Sequence, residues 1–159
     1  PHLLGYKVKG KQSELLFANA GKSLSVWQKE IHHKNERMGF MCQMLPQMIK
    51  ALSIIHSFGY THGDLKLDNI CARVNKHNQL KFTLIDFGVA SRIPKLGEDM
   101  SKKNFRGNFL FASAHHIVTR RASDLDDMQA LFNVAYRFVY KMLPWERHME
   151  ELQKQTDKK

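Results

Sequence analysis

The 159-residue sequence predicts an α+β domain, mainly helical, with two short β-hairpins. Three observations carry the prediction. Phe40, Met44, Leu45, Met48, Leu52 and Ile55 recur at three- and four-residue steps and draw one apolar stripe along a helix from Met38 to Phe58. A second buried-looking helix runs from Leu125 to Leu143 and is stopped by Pro144. Two strand–turn–strand patterns complete the set: Leu3 to Val8 with Ser13 to Ala18, and Ile70 to Val74 with Leu80 to Ile85.

The elements follow in order. The first strand pair turns at Gly10 and Lys11. Gly21 then punctuates the chain, and a short helix is expected from Ser23 to His32. Pro46 lies inside the apolar stripe and is expected to kink that helix or delay its start. Gly59 is its stop. Asn75 to Gln79 is the polar turn of the second hairpin. Residues 87 to 111 carry Gly88, Pro94, Gly97 and Gly107 and read as an irregular loop, long enough to be functional. The tail from Glu146 to Lys159 is polar and has no core of its own.

Composition narrows the function classes. Hydrophobic residues make up 43% of the chain, so it is not a disordered tail. The 25 Lys and Arg against 15 Asp and Glu give a net charge of +10, which favours anionic partners. The cations are scattered (Lys7, Lys9 and Lys11; Lys102 and Lys103; Arg120 and Arg121). Nucleic acid is therefore possible as a partner but not favoured. Cys42 and Cys71 are the only cysteines and show no metal-ligand spacing. This fits a reducing compartment, cytoplasmic or nuclear. No apolar run reads as long enough to span a bilayer, so no membrane partner is expected. The chain opens on a proline and reads as a fragment of something longer.

The informative segment is Tyr60-Thr-His-Gly-Asp-Leu-Lys-Leu-Asp-Asn-Ile-Cys-Ala72, followed by Leu84-Ile-Asp-Phe-Gly88. It places Asp64 and Asp86 near a lysine and an asparagine, on loops at the ends of the second hairpin. Oxygen ligands of this kind suit magnesium, which usually keeps waters and substrate phosphates as its other ligands. Asp64 and Lys66, two residues apart in extended chain, can point the same way.

His62-x-Asp64-x-Lys66-x-x-Asn69 resembles the catalytic loop of protein kinases, and Asp86-Phe87-Gly88 resembles their metal-binding motif. The 22-residue step from Asp64 to Asp86 leaves room for the hairpin between them. Downstream, Gly107-Asn-Phe-Leu-Phe-Ala-Ser113 is similar to the Gly-Thr-x-x-Phe/Tyr-x-Ser stretch of casein kinase I and the vaccinia-related kinases. Arg120 to Leu131, with Asp126-Asp127, resembles the start of their large helix, and Leu143-Pro-Trp-Glu146 its end. The His-Gly-Asp form is like the vaccinia-related branch, while Asp-Phe-Gly is like casein kinase I.

This resemblance covers Leu3 to Glu146. It implies a single partial kinase domain over residues 1–159: residues 1–21 as the end of the N-terminal lobe and the hinge, and 22–159 as a C-terminal lobe cut after the large central helix. It also implies a serine/threonine kinase that uses ATP and Mg2+ on a protein or peptide substrate. Asp64 would orient the substrate hydroxyl and take its proton, and Lys66 would balance charge on the transferring phosphoryl group. Asn69 and Asp86 would hold the metal, with Asp86 also counted in the nucleotide site. His62, Phe87 and Gly88 would support the site from beneath. Phe17 would guard the adenine pocket, Ala18 to Ala20 would form the hinge, and Cys71 would lie under the purine. The Asp127 carboxylate would accept backbone hydrogen bonds near His62, although Ser123 or Asp124 could equally supply a helix cap.

The departures from the family are specific. No Gly-rich loop, no Val-Ala-x-Lys strand and no partner glutamate helix is present, so the N-terminal lobe is largely missing. Gly63 replaces the arginine of many kinases, which implies activity without a phosphorylation switch at that point. Asn108 stands in place of a threonine, and its amide can also donate and accept. Leu110 replaces an arginine that reads primed substrates in casein kinase I, and Phe132 replaces a small residue. Three alternatives therefore stand beside the kinase: an inactive scaffold lobe, a small-molecule phosphotransferase, and a basic binding module.

Overall fold

The computed structural model describes residues 2–10, 12–93, 104–149 and 151. Lys11 of the first turn, residues 94–103 of the predicted loop and most of the predicted tail lie outside them. Strands β1 (Leu3–Lys9) and β2 (Gln12–Phe17) pair antiparallel, with Tyr6 opposite Leu15 and Lys7 opposite Glu14. The pairing is irregular between Leu3 and Gly5, and most of the hairpin is exposed.

The chain then passes Gly21 into β3 (Lys22–Ser23), a strand too short to leave a sequence pattern. β3 is the outer strand of a three-stranded sheet, beside β5 (Ile70–Val74). Gly21 lies so close to β5 that a Cβ there would fall 2.2 Å from the Ala72 carbonyl oxygen, and its φ is +93°. Only glycine fits that approach.

Helix α1 (Leu24–Glu30) is shorter than the expected span. Helix α2 (Lys34–Ser57) begins four residues before Met38, and Pro46 sits inside it without delaying its start. Pro46 has no N–H to offer the Cys42 carbonyl, and both residues lie on the exposed side of the helix. The helix holds because its other face is core: Phe40, Met41, Met44, Met48 and Leu52 are buried. By length and composition α2 is long and apolar enough to cross a membrane, which corrects the reading that no such run exists. Its buried face packs on the large helix and on the sheet, as a core helix does. Gly59 follows, with its N–H bonded to the His56 carbonyl at 2.8 Å.

The second hairpin pairs β5 with β6 (Leu80–Leu84), with Ile70 opposite Leu84 and Val74 opposite Leu80. A further pairing joins β4 (Tyr60–Thr61) to β7 (Ser91–Arg92), so the described chain has more sheet than two hairpins. Helix α3 (Ala114–Thr119) lies in a stretch for which the sequence analysis offered no element.

Helix α4 (Asp124–Tyr140) starts with a capping box. Ser123 Oγ accepts from the Asp126 N–H, and Asp126 Oδ2 accepts from the Ser123 N–H at 2.8 Å. It ends at Tyr140 rather than Leu143, because Lys141 takes a left-handed conformation (φ 66°) and caps the helix before Pro144 is reached. Phe40 is the aromatic centre of the core. Its ring lies 5.3 Å from Trp27, 5.1 Å from Phe82 and 5.3 Å from Phe138.

Buried Arg37 locks the crossing of α2 and α4: its Nε donates to the Val139 carbonyl at 2.9 Å and its Nη1 to the His32 carbonyl at 2.7 Å. Leu131 of α4 is fully buried in this core. Leu131→Ala is expected to cost about 2–5 kcal/mol, and Ser123→Ala about 1 kcal/mol through loss of the cap. Urea unfolding of both variants, with unchanged slope against urea, is the measurement that checks this.

Candidate active site

Three pieces of chain meet at the site: residues 62–69 after β4, residues 85–88 after β6, and the first turn of α4. The path of the first piece is set by a buried carboxylate. Asp127, 2% exposed, accepts the His62 N–H at 2.7 Å on Oδ2 and the Gly63 N–H at 2.9 Å on Oδ1. His56, in the last turn of α2, places its Nε2 at 2.9 Å from the same Oδ2. Asp127 therefore bonds the catalytic-loop backbone, whereas the cap of α4 is supplied by Ser123 with Asp126.

His56 was not among the residues named from the sequence. Its signal was present: it continues the buried series Met44, Met48, Leu52 by one more step of four, which puts a polar ring on the core face.

The His62 imidazole sits beneath the loop. Its Nε2 lies 3.1 Å from the Ile85 carbonyl, and the Asp64 N–H lies 3.3 Å from its Nδ1. A carbonyl only accepts and an N–H only donates, so the network assigns the neutral tautomer with its proton on Nε2. Burial lowers the His62 pKa, partly offset by the Ile85 carbonyl and by Asp127, Asp64 and Asp86. The Phe87 ring packs on His62 at 5.0 Å, edge to face.

With its backbone held below, the loop turns Asp64, Lys66 and Asn69 toward one another. Lys66 Nζ donates to Asp64 Oδ2 at 2.7 Å, and Asn69 Nδ2 donates to the same oxygen at 3.0 Å and to the Asp64 carbonyl at 2.9 Å. Lys66 has a raised pKa because of its hydrogen bond to Asp64. The cluster thus holds a carboxylate, an ammonium and an amide with fixed positions.

The second piece is tied to the first where Ile85 N–H meets the Asn69 carbonyl at 2.9 Å. Asp86 follows in the left-handed region (φ 62°) and is exposed. One of its oxygens takes the Gly88 N–H at 3.2 Å. Arg106 Nη2 reaches the Gly88 carbonyl at 3.1 Å and links this turn to the chain before Gly107.

Among the described residues no three His, Cys, Asp or Glu side chains converge as a self-sufficient metal site. The donor set instead fits an ion that keeps waters and phosphate oxygens as ligands. Among the described residues Asn69 Oδ1 has no hydrogen-bond partner and no buried side-chain oxygen is left without one, so Oδ1 is reachable from outside. Asp86 likewise has one oxygen unengaged. Asn69 and Asp86 are therefore able to hold a hard cation such as Mg2+.

The other residues named from the sequence fall in two places. Asn108 shares a small crevice with Gly63, Asp64 and Asp127. Its side-chain oxygen accepts from the Leu110 N–H at 2.9 Å, and among the described residues no bond from it reaches Asp64 or Lys66. Ala18 and Ala20 line a separate cavity of about 630 Å³ together with Phe87. Phe17 is exposed and lies outside that lining. Cys71 is buried in β5, also outside it, and burial raises its thiol pKa.

A pH dependence follows from the buried imidazoles. His62 and His116 both lie below the ordinary 6.5, each because burial disfavours the charged ring. As pH falls below that value the unfolded chain takes up these protons first. Their contribution to stability is complete above the ordinary value and is lost as pH falls toward the lowered folded values. The melting temperature is expected to decline between about pH 7 and about pH 5, and His116→Gln is expected to flatten the decline. A melting temperature constant over that range contradicts the assignment.

Comparison with known proteins agrees with this geometry. A family model described as the protein kinase domain matches residues 14–159. A probable serine/threonine-protein kinase of Dictyostelium discoideum is 28% identical over 131 residues, which is 80% of this chain and 26% of that protein. Casein kinase I homolog 2 of Saccharomyces cerevisiae is 32% identical over 110 residues, 65% of this chain and 20% of the relative. The casein kinase 1-like protein HD16 of Oryza sativa is 31% identical over 107 residues, 63% of this chain and 15% of the relative. This chain thus spans about a third or less of the curated relatives it matches. A solved structure of vaccinia related kinase 3 superposes with a TM-score of 0.74 over 98% of this chain and 50% of that one, at 23% identity, which shows a shared fold. The chain belongs to the protein kinase domain family.

Proposed function

We propose that this chain is the C-terminal lobe and hinge of a serine/threonine protein kinase, and that the parent protein transfers the γ-phosphate of ATP to a protein hydroxyl. One observation carries the reading: Lys66 and Asn69 both donate hydrogen bonds to Asp64 on a loop whose backbone Asp127 holds, and Ile85, the residue before Asp86, is bonded to Asn69.

The chemistry asked of these residues is mostly positioning and charge balance. Asp64 is held by two donors on Oδ2, which leaves Oδ1 to accept the proton of an incoming Ser or Thr hydroxyl. The Lys66 ammonium, part-exposed beside Asp64, is placed to accompany negative charge on the phosphoryl oxygens. Asn69 fixes the Asp64 carboxylate with its nitrogen and offers its oxygen to a metal. Asp86 supplies the anionic ligand. When bound, magnesium would neutralise the phosphate oxygens. Phe87 packs on His62 and ties the metal-binding turn to the catalytic loop.

A scaffold reading rests on one different observation. The Asn108 side-chain oxygen is engaged in its own turn, and among the described residues no bond joins Asn108 to Asp64. The two readings separate by experiment.

Calorimetry of ATP with and without Mg2+ is expected to show magnesium-dependent binding to this chain, weakened at least tenfold by Asp86→Asn. Phosphoryl transfer to a casein-like peptide, measured in a parent containing this chain, is expected to fall by about 10²–10⁴ in Asp64→Asn with ATP binding kept. Binding with no transfer, equal in the two proteins, favours the scaffold. No magnesium-dependent binding by the folded parent removes the kinase reading.

A further inference from the structure

The cavity of about 630 Å³ lies between residues 18–20, α2 and the β5–β6 hairpin. None of Asp64, Lys66, Asn69 and Asp86 lines it, so it is separate from the carboxylate cluster. Its size is that of a site for a small organic molecule. Its floor is apolar, with Met48, Ala51, Ile54, Leu84 and Phe87.

Its rim has one sign of charge. Lys50, Arg73 and Lys81 line it, and no Asp or Glu does. Arg73 and Lys81 stand directly opposite each other across the hairpin. Like charges in that relation repel and destabilise the pair. Among the described residues none of the three cations has a carboxylate partner. An anion placed between them would relieve the repulsion, and an apolar chain would cover the floor.

We propose that this cavity binds an amphipathic anion, an alkyl or acyl chain ending in a carboxylate, with the head group at Arg73 and Lys81 and the chain over Ile54, Ala51 and Phe87. The cavity meets the kinase reading at Ala18 and Ala20, the expected hinge, and at Phe87, which also packs on His62 at 5.0 Å, so an occupant touches the residue next to Asp86.

The test uses a dansyl-labelled undecanoic acid, below its micelle concentration, and the equally labelled undecanol as its neutral partner. The acid is expected to give saturable one-site fluorescence enhancement, with the alcohol at least tenfold weaker. The double variant Arg73→Glu/Lys81→Glu is expected to lose at least tenfold for the acid. Both positions are exposed, so its circular dichroism and melting temperature should match the parent chain. Excess Mg2+ and ATP are expected to leave the probe bound. Equal binding of acid and alcohol marks an apolar face that another polypeptide covers, and overturns the proposal. So does unchanged affinity in the double variant. Competitive displacement by ATP assigns the cavity to the nucleotide and overturns it as well.

Discussion

The carboxylate of Asp127 sits in the first turn of α4 with almost no access to water, and a charge placed there has to be met by donors. Two of them are the backbone N–H groups of His62 and Gly63, and a third partner is the His56 ring. Those two backbone groups belong to a loop that makes no sheet or helix ladder at that point, so they in turn have to be satisfied. The need is mutual, which is why the arrangement is specific. α4 supplies the carboxylate, α2 supplies the ring that holds it, and the loop between β4 and β5 is drawn down onto both. The helix N-terminus adds to this, since Asp124, Asp126 and Asp127 all lie where the helix dipole favours negative charge.

The geometry above the anchor depends on it. Once His62 and Gly63 are fixed, the His62 ring has one orientation that serves both the Ile85 carbonyl and the Asp64 N–H. That orientation requires a neutral ring, and burial keeps it neutral. The ring then joins residues 62–64 to residues 85–87, and Phe87 closes over it. Asp64, Lys66 and Asn69 are consequently displayed on a braced backbone rather than on a free loop. Preorganisation of this kind is what electrostatic catalysis needs, because the groups do not reorganise when charge develops.

The site was more legible in the sequence than the fold around it. His62, Asp64, Lys66, Asn69 and Asp86 stand at spacings that leave room for a hairpin between two loops and that resemble the kinase motifs, and each is a residue type with its own chemistry. The long stripe of α2 and the two hairpins were equally visible, since their periods run over many residues. The boundaries were not. α2 keeps Pro46 because burial of Phe40, Met44, Met48 and Leu52 outweighs one lost backbone bond, and local propensity does not carry that information. β3, β4 and β7 have two residues each, too few for any alternation. Lys141 ends α4 in a conformation normally signalled by glycine. Nothing local marks Arg37 for burial; carbonyls from α4 and from the α1–α2 turn accept its hydrogen bonds there.

Gly63 and Gly107 show how the remaining piece of the site is held. A Cβ on Gly107 would fall 2.3 Å from the Gly63 carbonyl oxygen, and Gly107 has a φ of +126°. The segment leading to Asn108 therefore lies backbone against backbone on the catalytic loop, an approach that a side chain at Gly107 would prevent. Many kinases place an arginine where Gly63 stands, and that side chain holds the neighbouring segment through a phosphate. Here the same neighbourhood is assembled by close packing of two glycines, together with the bond from Arg106 to the Gly88 carbonyl. Neither contact needs an added charge to form. The contact also has a cost at the next residue. Asn108 enters a tight turn, in which Ala112 N–H bonds its carbonyl at 3.0 Å and Leu110 N–H takes its side-chain oxygen. The packing that brings this segment to Asp64 is thus the same packing that engages the Asn108 side-chain oxygen in its own turn.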